Sequence, residues 1–120
     1  MGEEEIAKCL VENGIELKKR MYMFMYDENY YIDLLKDFIK ENDIDKIESC
    51  ISCNDYETAE YHIDNLITLT DTFGLSRANE ASKELSNHLQ KQSKEEISQK
   101  VNEIRTSYQR LNRILYHQHS

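Results

Sequence analysis

The chain has 120 residues, enough for one modest domain and too few for two, so we expect a single domain over residues 1–120. It contains no proline and only three glycines, and this scarcity of helix breakers favours an all-α fold. The net charge of −8 argues against nucleic acid as a partner, because phosphate binding requires clustered Lys and Arg.

The amino-terminal part of the sequence predicts two short helices. The first covers about residues 3–13 and is followed by Gly14, a residue type that commonly ends helices. The second begins at about Glu16. Residues 21–26 alternate Met with aromatic side chains, and the sequence offers no partner strand for them. We therefore interpret this run as the end of the short helix, packed over the rest of the fold, where Met fills irregular gaps.

A long helix is predicted next, from about residue 28 to residue 53, with Asp27 as its N-cap. Its apolar side chains keep a helical stripe throughout, although a kink is possible in the segment 41–45. Asn54 then starts another helix, and Glu57 follows three residues later, as in a capping box.

Gly74 ends that helix, and two further helices follow. Ser76 can cap a helix over residues 76–92, and a Ser93–Glu96 capping box opens a last helix that reaches about residue 117. The side chains predicted to face the core are Ala78, Ala81, Leu85, Leu89, Ile97, Val101, Ile104, Tyr108, Leu111 and Leu115. Four substantial helices with short connections predict an antiparallel up-down-up-down four-helix bundle, preceded by one or two short amino-terminal helices.

The charge is unevenly distributed along the chain. Residues 27–64 hold 12 acids and 3 bases, whereas residues 65–120 hold 6 acids and 8 bases. One interpretation is that the first helices of the bundle pair their charges with the last two. The other is that the acidic half provides a docking face for a basic partner surface.

The cysteines and histidines do not form a convincing metal motif. Cys9, Cys50 and Cys53 are an odd number without a secretion signal, so we expect reduced thiols. A structural zinc site would need a second pair beside Cys50-x-x-Cys53, and the lone His117-x-His119 pair is weak evidence for a ligand. We therefore expect no metal and no cofactor.

No apolar run approaches the roughly 20 residues of a membrane span. The acidic residues 1–6 do not resemble a signal peptide. We therefore expect a cytoplasmic protein that has no membrane partner.

The region around Asp64 contains an ordered set of landmarks. Asp55 lies in a turn nine residues before Asp64, Leu66 follows two residues after it, and Gly74 follows ten residues after it, preceded by the apolar Phe73. This order resembles the histidine phosphotransfer (HPt) domains of bacterial phosphorelays, which are four-helix bundles.

The resemblance extends over residues 14–115. The step Gly14-Ile15-Glu16 and the segments 27–31 and 34–38 resemble the family's amino-terminal pattern. In the helix after Gly74, the matching positions are Ala81, Leu85 and Leu89. The resemblance implies the family's bundle and its class of partner, a receiver or kinase domain of two-component signalling.

The reactive core of the family is replaced in this chain. The family reads His-x-Leu-Lys-Gly, whereas this chain reads Asp64-Asn65-Leu66-Ile67-Thr68. The phosphoacceptor position is therefore Asp64. This residue lacks an identifiable lysine partner of the kind that assists a receiver aspartate, so we do not expect Asp64 to accept phosphate.

His62 is the alternative phosphoacceptor. At about 100° per residue, Ala59, Ile63 and Leu66 share one side of the helix, and His62 borders that side rather than opposing it. We therefore expect the ring to pack beside Leu66 and Leu69 with its nitrogens hydrogen-bonded, which would keep it from a partner's active site.

The opposite side of the same helix is predicted to carry an acidic stripe. We define this stripe by five residues, Glu57, Glu60, Asp64, Thr68 and Asp71. It is either a solvated helix face or a partner-binding surface at the place where HPt domains dock receiver domains. The acidic, Mg²⁺-binding pocket of a receiver would repel these carboxylates, so docking in the usual pose should be weakened.

Three functions follow from these observations. The first is an HPt-like module that binds a signalling protein without transferring phosphate, and therefore is not an enzyme. The second is an active phosphotransfer protein that uses His62. The third is an unrelated helical interaction bundle. We favour the first.

Overall fold

The computed structural model describes residues 3–41, 43–91 and 93–116, and every element in these ranges is helical. The helices are α1 (Glu3–Glu12), α2 (Leu17–Arg20), α3 (Glu28–Glu41), α4 (Asp43–Ser52), α5 (Tyr56–Phe73), α6 (Ser76–Lys91) and α7 (Lys94–Tyr116), with a 3-10 turn at Met21–Phe24. The all-α prediction is thus confirmed for the described residues. None of their helices is both long and apolar enough to span a bilayer. The expected helix ends at residues 92 and 117 and the His117-x-His119 pair lie outside the described residues.

From α4 onward, helices that follow one another along the chain are also neighbours in space. Helix α5 packs against both α4 and α6, and α7 packs against α6. Helix α7 further contacts α4, α3 and α1, while α1 lies against α3. All ten positions predicted to face the core in α6 and α7 are buried, because apolar residues three and four apart lie on one side of a helix.

The predicted long helix over residues 28–53 is instead two helices, α3 and α4. The N-cap prediction for α3 is confirmed, since the backbone N–H of Tyr30 donates to Asp27 Oδ1 at 3.2 Å. Helix α3 ends at Glu41 and α4 begins at Asp43. Residue 42, between them, lies outside the described residues.

The Met–aromatic run packs over the fold only in part. Met21 and Phe24 are buried, whereas Tyr22, Met23, Met25 and Tyr26 are exposed. Phe24 stacks on Phe73, the last residue of α5, with ring centroids 5.4 Å apart. The buried side chains of the turn thus fix it against the carboxyl end of α5.

The segment between α1 and α2 also contacts that end of α5. The backbone N–H of Glu16 donates to Gly74 O at 2.9 Å. The Ser76 hydroxyl donates to the Glu16 carboxylate, and this bond, followed by Lys19, lowers the pKa of Glu16. Ser76 is the first residue of α6, and its hydroxyl bonds to another segment instead of serving as the predicted cap. We call this contact of Glu16 with Gly74 and Ser76 the amino-terminal junction.

Candidate functional site

Helix α5 is capped at both ends, by the side chain of Asp55 at its start and by the backbone of Gly74 at its end. The carboxylate of Asp55 accepts a hydrogen bond from the backbone N–H of Thr58 at 3.2 Å, so Asp55 is the N-cap. The prediction placed the start at Asn54, which instead has a left-handed backbone with φ of 59°, a conformation that Asn tolerates well. Gly74 ends the helix with φ of 75°, as predicted.

Acid should weaken the cap of α5. Hydrogen bonds from Thr58, first from its side chain and then from its backbone N–H, lower the pKa of Asp55 from its ordinary 3.8. Because the pKa of Asp55 falls on folding, the stabilisation from its ionised carboxylate is complete above pH 3.8. It is lost as the pH drops through the lower pKa of the folded state. Asp55→Asn keeps a capping acceptor and removes the titration. Urea unfolding from pH 6 to pH 2 should show the stability gap between wild type and Asp55→Asn shrinking below pH 3.8. A gap that is constant with pH would contradict the assignment.

The rotational phase of α5 matches the phase predicted from its sequence. The buried side chains of this helix are Ala59, Ile63, Leu66, Thr70 and Phe73. Asp64 and Asn65 lie exposed on the other side. Asp64 therefore faces solvent, on the side of α5 that the sequence predicted.

The acidic stripe is paired at Asp71 and hydrogen-bonded at Glu60. Arg20 Nη2 donates to Asp71 Oδ1 at 3.1 Å. Gln90 Nε2 donates to Glu60 Oε1 at 3.3 Å, and Glu60 is half-buried. Glu57 and Asp64 are exposed, and no described lysine or arginine forms an ion pair with either. These two carboxylates are thus available to a partner.

Thr68, the polar member of the stripe, is bound to its own helix. Its hydroxyl donates to Asp64 O at 3.2 Å, and its carbonyl accepts from the Thr72 hydroxyl at 2.9 Å. Serine and threonine side chains commonly make such bonds to the preceding turn. Thr68 is exposed and lies about one helical turn after Asp64 and one turn before Asp71.

His62 is half-buried, as its position beside the core stripe predicted. Its ring meets the Tyr61 ring edge-on, with centroids 5.5 Å apart. The expected hydrogen bonds to its nitrogens are not found among the described residues. The imidazole is therefore only partly enclosed by the core. The exposed side chains that follow it in the middle of α5 are those of Asp64 and Asn65.

Arg20 and Asn79 support the carboxyl half of α5, and no sequence pattern predicts either role. Asn79 in α6 donates from Nδ2 to Ile67 O at 2.9 Å and to the Thr70 hydroxyl at 3.1 Å. Arg20 reaches Asp71 across 51 residues of sequence. A local pattern such as a capping box carries no information about contacts at this separation.

Charge pairing between the two halves of the chain accounts for part of the acidic excess. Arg105 in α7 donates to Asp45 Oδ1 at 2.9 Å and also contacts the Glu48 carboxylate. Hydrogen bonding to Asp45 is the main cause that raises the pKa of Arg105. Asp45 and Glu48 of α4 therefore face a base of α7, whereas Glu57 and Asp64 do not.

The described residues contain no group of three or more His, Cys, Asp or Glu side chains that could hold a metal ion. Cys9, Cys50 and Cys53 are free thiols.

Comparison with protein-family models, with curated proteins and with solved structures finds no match to this chain.

Proposed function

We propose that this chain is an HPt-like signalling module that binds a protein partner through the acidic stripe of α5 and does not transfer phosphate. The main support is the orientation of Asp64. It occupies the position of the family's phosphoacceptor, faces solvent and has no ion-pair partner among the described residues. A carboxylate at this position can attract a basic surface but cannot serve as a phosphorylated histidine.

The arrangement of helices supports the same proposal. Helices α4, α5, α6 and α7 contact one another in chain order, and α7 returns to α4. Such an order fits an up-down-up-down bundle in which α3 and α4 together form the first long rod. Gly74, the family's distal glycine, lies in the amino-terminal junction with Glu16, which belongs to the other resembling segment, Gly14-Ile15-Glu16.

The partner that fits this surface is a receiver or kinase domain whose contacting face is basic. Glu57 and Asp64 are separated by about two helical turns on the exposed side of α5. Charges of this kind steer association and select partners more than they add affinity. We place the interaction in the cytoplasm, where two-component signalling proteins meet.

Binding experiments can test the role of the two free carboxylates. Labelled wild-type protein would be titrated with receiver and kinase domains from the host at about 50 mM salt. For a bound domain, the double variant Glu57→Gln/Asp64→Asn should weaken affinity about tenfold, a free-energy loss of about 1.4 kcal/mol. Raising the salt should weaken wild-type binding as well, because exposed charges are screened.

A matched variant separates the stripe from net charge. Asp37→Asn/Glu41→Gln removes two exposed carboxylates from α3, so it changes the charge by the same amount on another helix. This control should bind as wild type does. Equal weakening by both double variants, or no specific partner among the domains, would contradict the proposal.

The second candidate is phosphotransfer through His62, which is half-buried and therefore partly accessible. Incubation with a phosphorylated receiver should leave the wild-type chain without an acid-labile, alkali-stable phosphoryl group. If the label appears and His62→Gln abolishes it, the chain is a phosphotransfer protein. An experimental helix order unlike that of HPt domains would instead favour an unrelated interaction bundle.

A further inference from the structure

A patch of aromatic and Met side chains lies exposed at the turn between α2 and α3. We call it the aromatic patch, and its members are Tyr22, Met23, Met25, Tyr26 and Tyr30. Their exposed fractions range from 41% for Tyr30 to 76% for Tyr26. Single exposed apolar residues are ordinary, but five large ones within nine residues of sequence are a concentration of the kind that commonly marks an interaction site.

The backbone that presents the aromatic patch is strained. Met25 and Tyr26 both have left-handed backbones, with φ of 57° and 58°, a conformation that bulky residues rarely adopt. The turn is nevertheless fixed, because the Tyr26 N–H donates to Met21 O at 2.9 Å and the Asp27 N–H donates to Phe24 O at 3.0 Å. Met25 and Tyr26 are thus held outward on an ordered support, which lowers the entropic cost of binding.

The area of the aromatic patch is sufficient for association of two copies. Taking about 200 Å² for a fully exposed side chain of this size, the exposed fractions correspond to about 600 Å² on one copy. Two copies joined through this patch would remove up to about 1,200 Å² from solvent, which is the lower limit for specific protein interfaces.

Charges of opposite sign lie close to the patch along the chain. Lys18 and Lys19 precede it along the chain and are exposed, with Lys19 paired to Glu16 at 2.9 Å. Asp27 lies between Tyr26 and Tyr30, Asp33 follows Tyr30, and both are exposed as well. In a two-fold interface the same surface is used by both copies, so the basic border of one copy can face the acidic border of the other.

We propose that the aromatic patch is the interface of a two-fold symmetric homodimer. Its occupant is a second copy, because the patch is itself uncharged and its borders complement each other under two-fold symmetry. An anionic lipid surface fits less well, since Asp27 and Asp33 adjoin the patch and the whole chain carries −8. The dimer does not depend on the acidic stripe, because the aromatic patch lies on another part of the chain.

Sedimentation velocity over about 1 µM to 1 mM protein tests this interface. Wild type should shift from monomer to dimer as concentration rises. Met25→Asn/Tyr26→Asn should raise the dimer dissociation constant at least about thirtyfold, the factor expected for truncating central interface anchors. Asn tolerates the left-handed backbone, so this variant should keep the helical circular dichroism of the wild type.

Two further variants make the test specific. Tyr61→Asn truncates a tyrosine of α5 that is 64% exposed and lies outside the aromatic patch, and it should dimerise as wild type does. Tyr22→Ser truncates the patch away from the strained residues and should weaken the dimer. A wild type that remains monomeric at 1 mM, or a Met25→Asn/Tyr26→Asn variant that dimerises normally, would overturn the proposal. So would a monomer that co-sediments with phosphatidylserine-containing vesicles through the patch, because the occupant would then be lipid.

Discussion

Replacing Gly74 by Ala should lower the free energy of unfolding by about 3 kcal/mol. A Cβ on residue 74 would lie 2.9 Å from the backbone oxygen of Glu16 and 3.1 Å from its carbonyl carbon. Backbone atoms cannot move aside as a flexible side chain can, and overpacking of this kind costs about 1–3 kcal/mol. The left-handed φ of 75° adds about 1 kcal/mol for a residue with a Cβ. Urea unfolding followed by circular dichroism measures the loss.

Gly14 provides the matched control for this prediction. Its φ of 86° is also left-handed, but a Cβ there would meet no atom within 4 Å. Gly14→Ala should therefore cost only the conformational part, about 1 kcal/mol. The difference between the losses in the two variants measures the cost of the close approach between Gly74 and the backbone of Glu16. Equal losses at both positions would show that this approach is absent in solution.

Tyr31→Phe should destabilise the protein by about 2 kcal/mol. The Tyr31 side chain is fully buried, and its hydroxyl donates to Phe73 O at 2.5 Å. Burial raises the pKa of Tyr31, so the group is a neutral donor. Removing the hydroxyl leaves a buried carbonyl without this donor, and an unsatisfied buried group costs about 1–3 kcal/mol. Urea or thermal unfolding at neutral pH would measure the difference.

Tyr108→Phe is the corresponding control. The Tyr108 hydroxyl is buried and has no hydrogen-bond partner among the described residues, and burial is the main cause that raises its pKa. Its removal should be neutral or slightly stabilising, because no partner is left unsatisfied. Equal losses of stability in the two Tyr→Phe variants would contradict a stabilising hydrogen bond from Tyr31 to Phe73.

The helices and their buried faces could be predicted from the sequence because the signal for each is local. Ile97, Val101, Ile104 and Tyr108 repeat every three or four residues, which fixes one side of α7 toward the core. The same periodicity placed Ile63 inside α5 and Asp64 outside. Helix phase therefore follows from spacing alone, without knowledge of the neighbouring helices.

Contacts between distant segments could not be predicted in this way. The Arg20–Asp71 pair and the approach of Glu16 to Gly74 join residues more than fifty positions apart. The start of α5 was predicted one residue too early for a different reason. Asn54 and Asp55 are both good N-cap residues, and only the backbone conformation determines which one caps α5. The helix expected over residues 28–53, with a kink allowed at 41–45, corresponds to α3 and α4, because apolar spacing indicates the buried face and not whether a helix is continuous.

The outward face of α5 is separate from the part of the helix that maintains the fold. Asp64 and Asn65 lie exposed, whereas their neighbours Ile63 and Leu66 are completely buried. Surface substitutions away from such buried groups usually change stability by less than about 0.5 kcal/mol. Replacements on this face can therefore alter the charge that it presents to solvent, while the buried residues preserve a heritable framework.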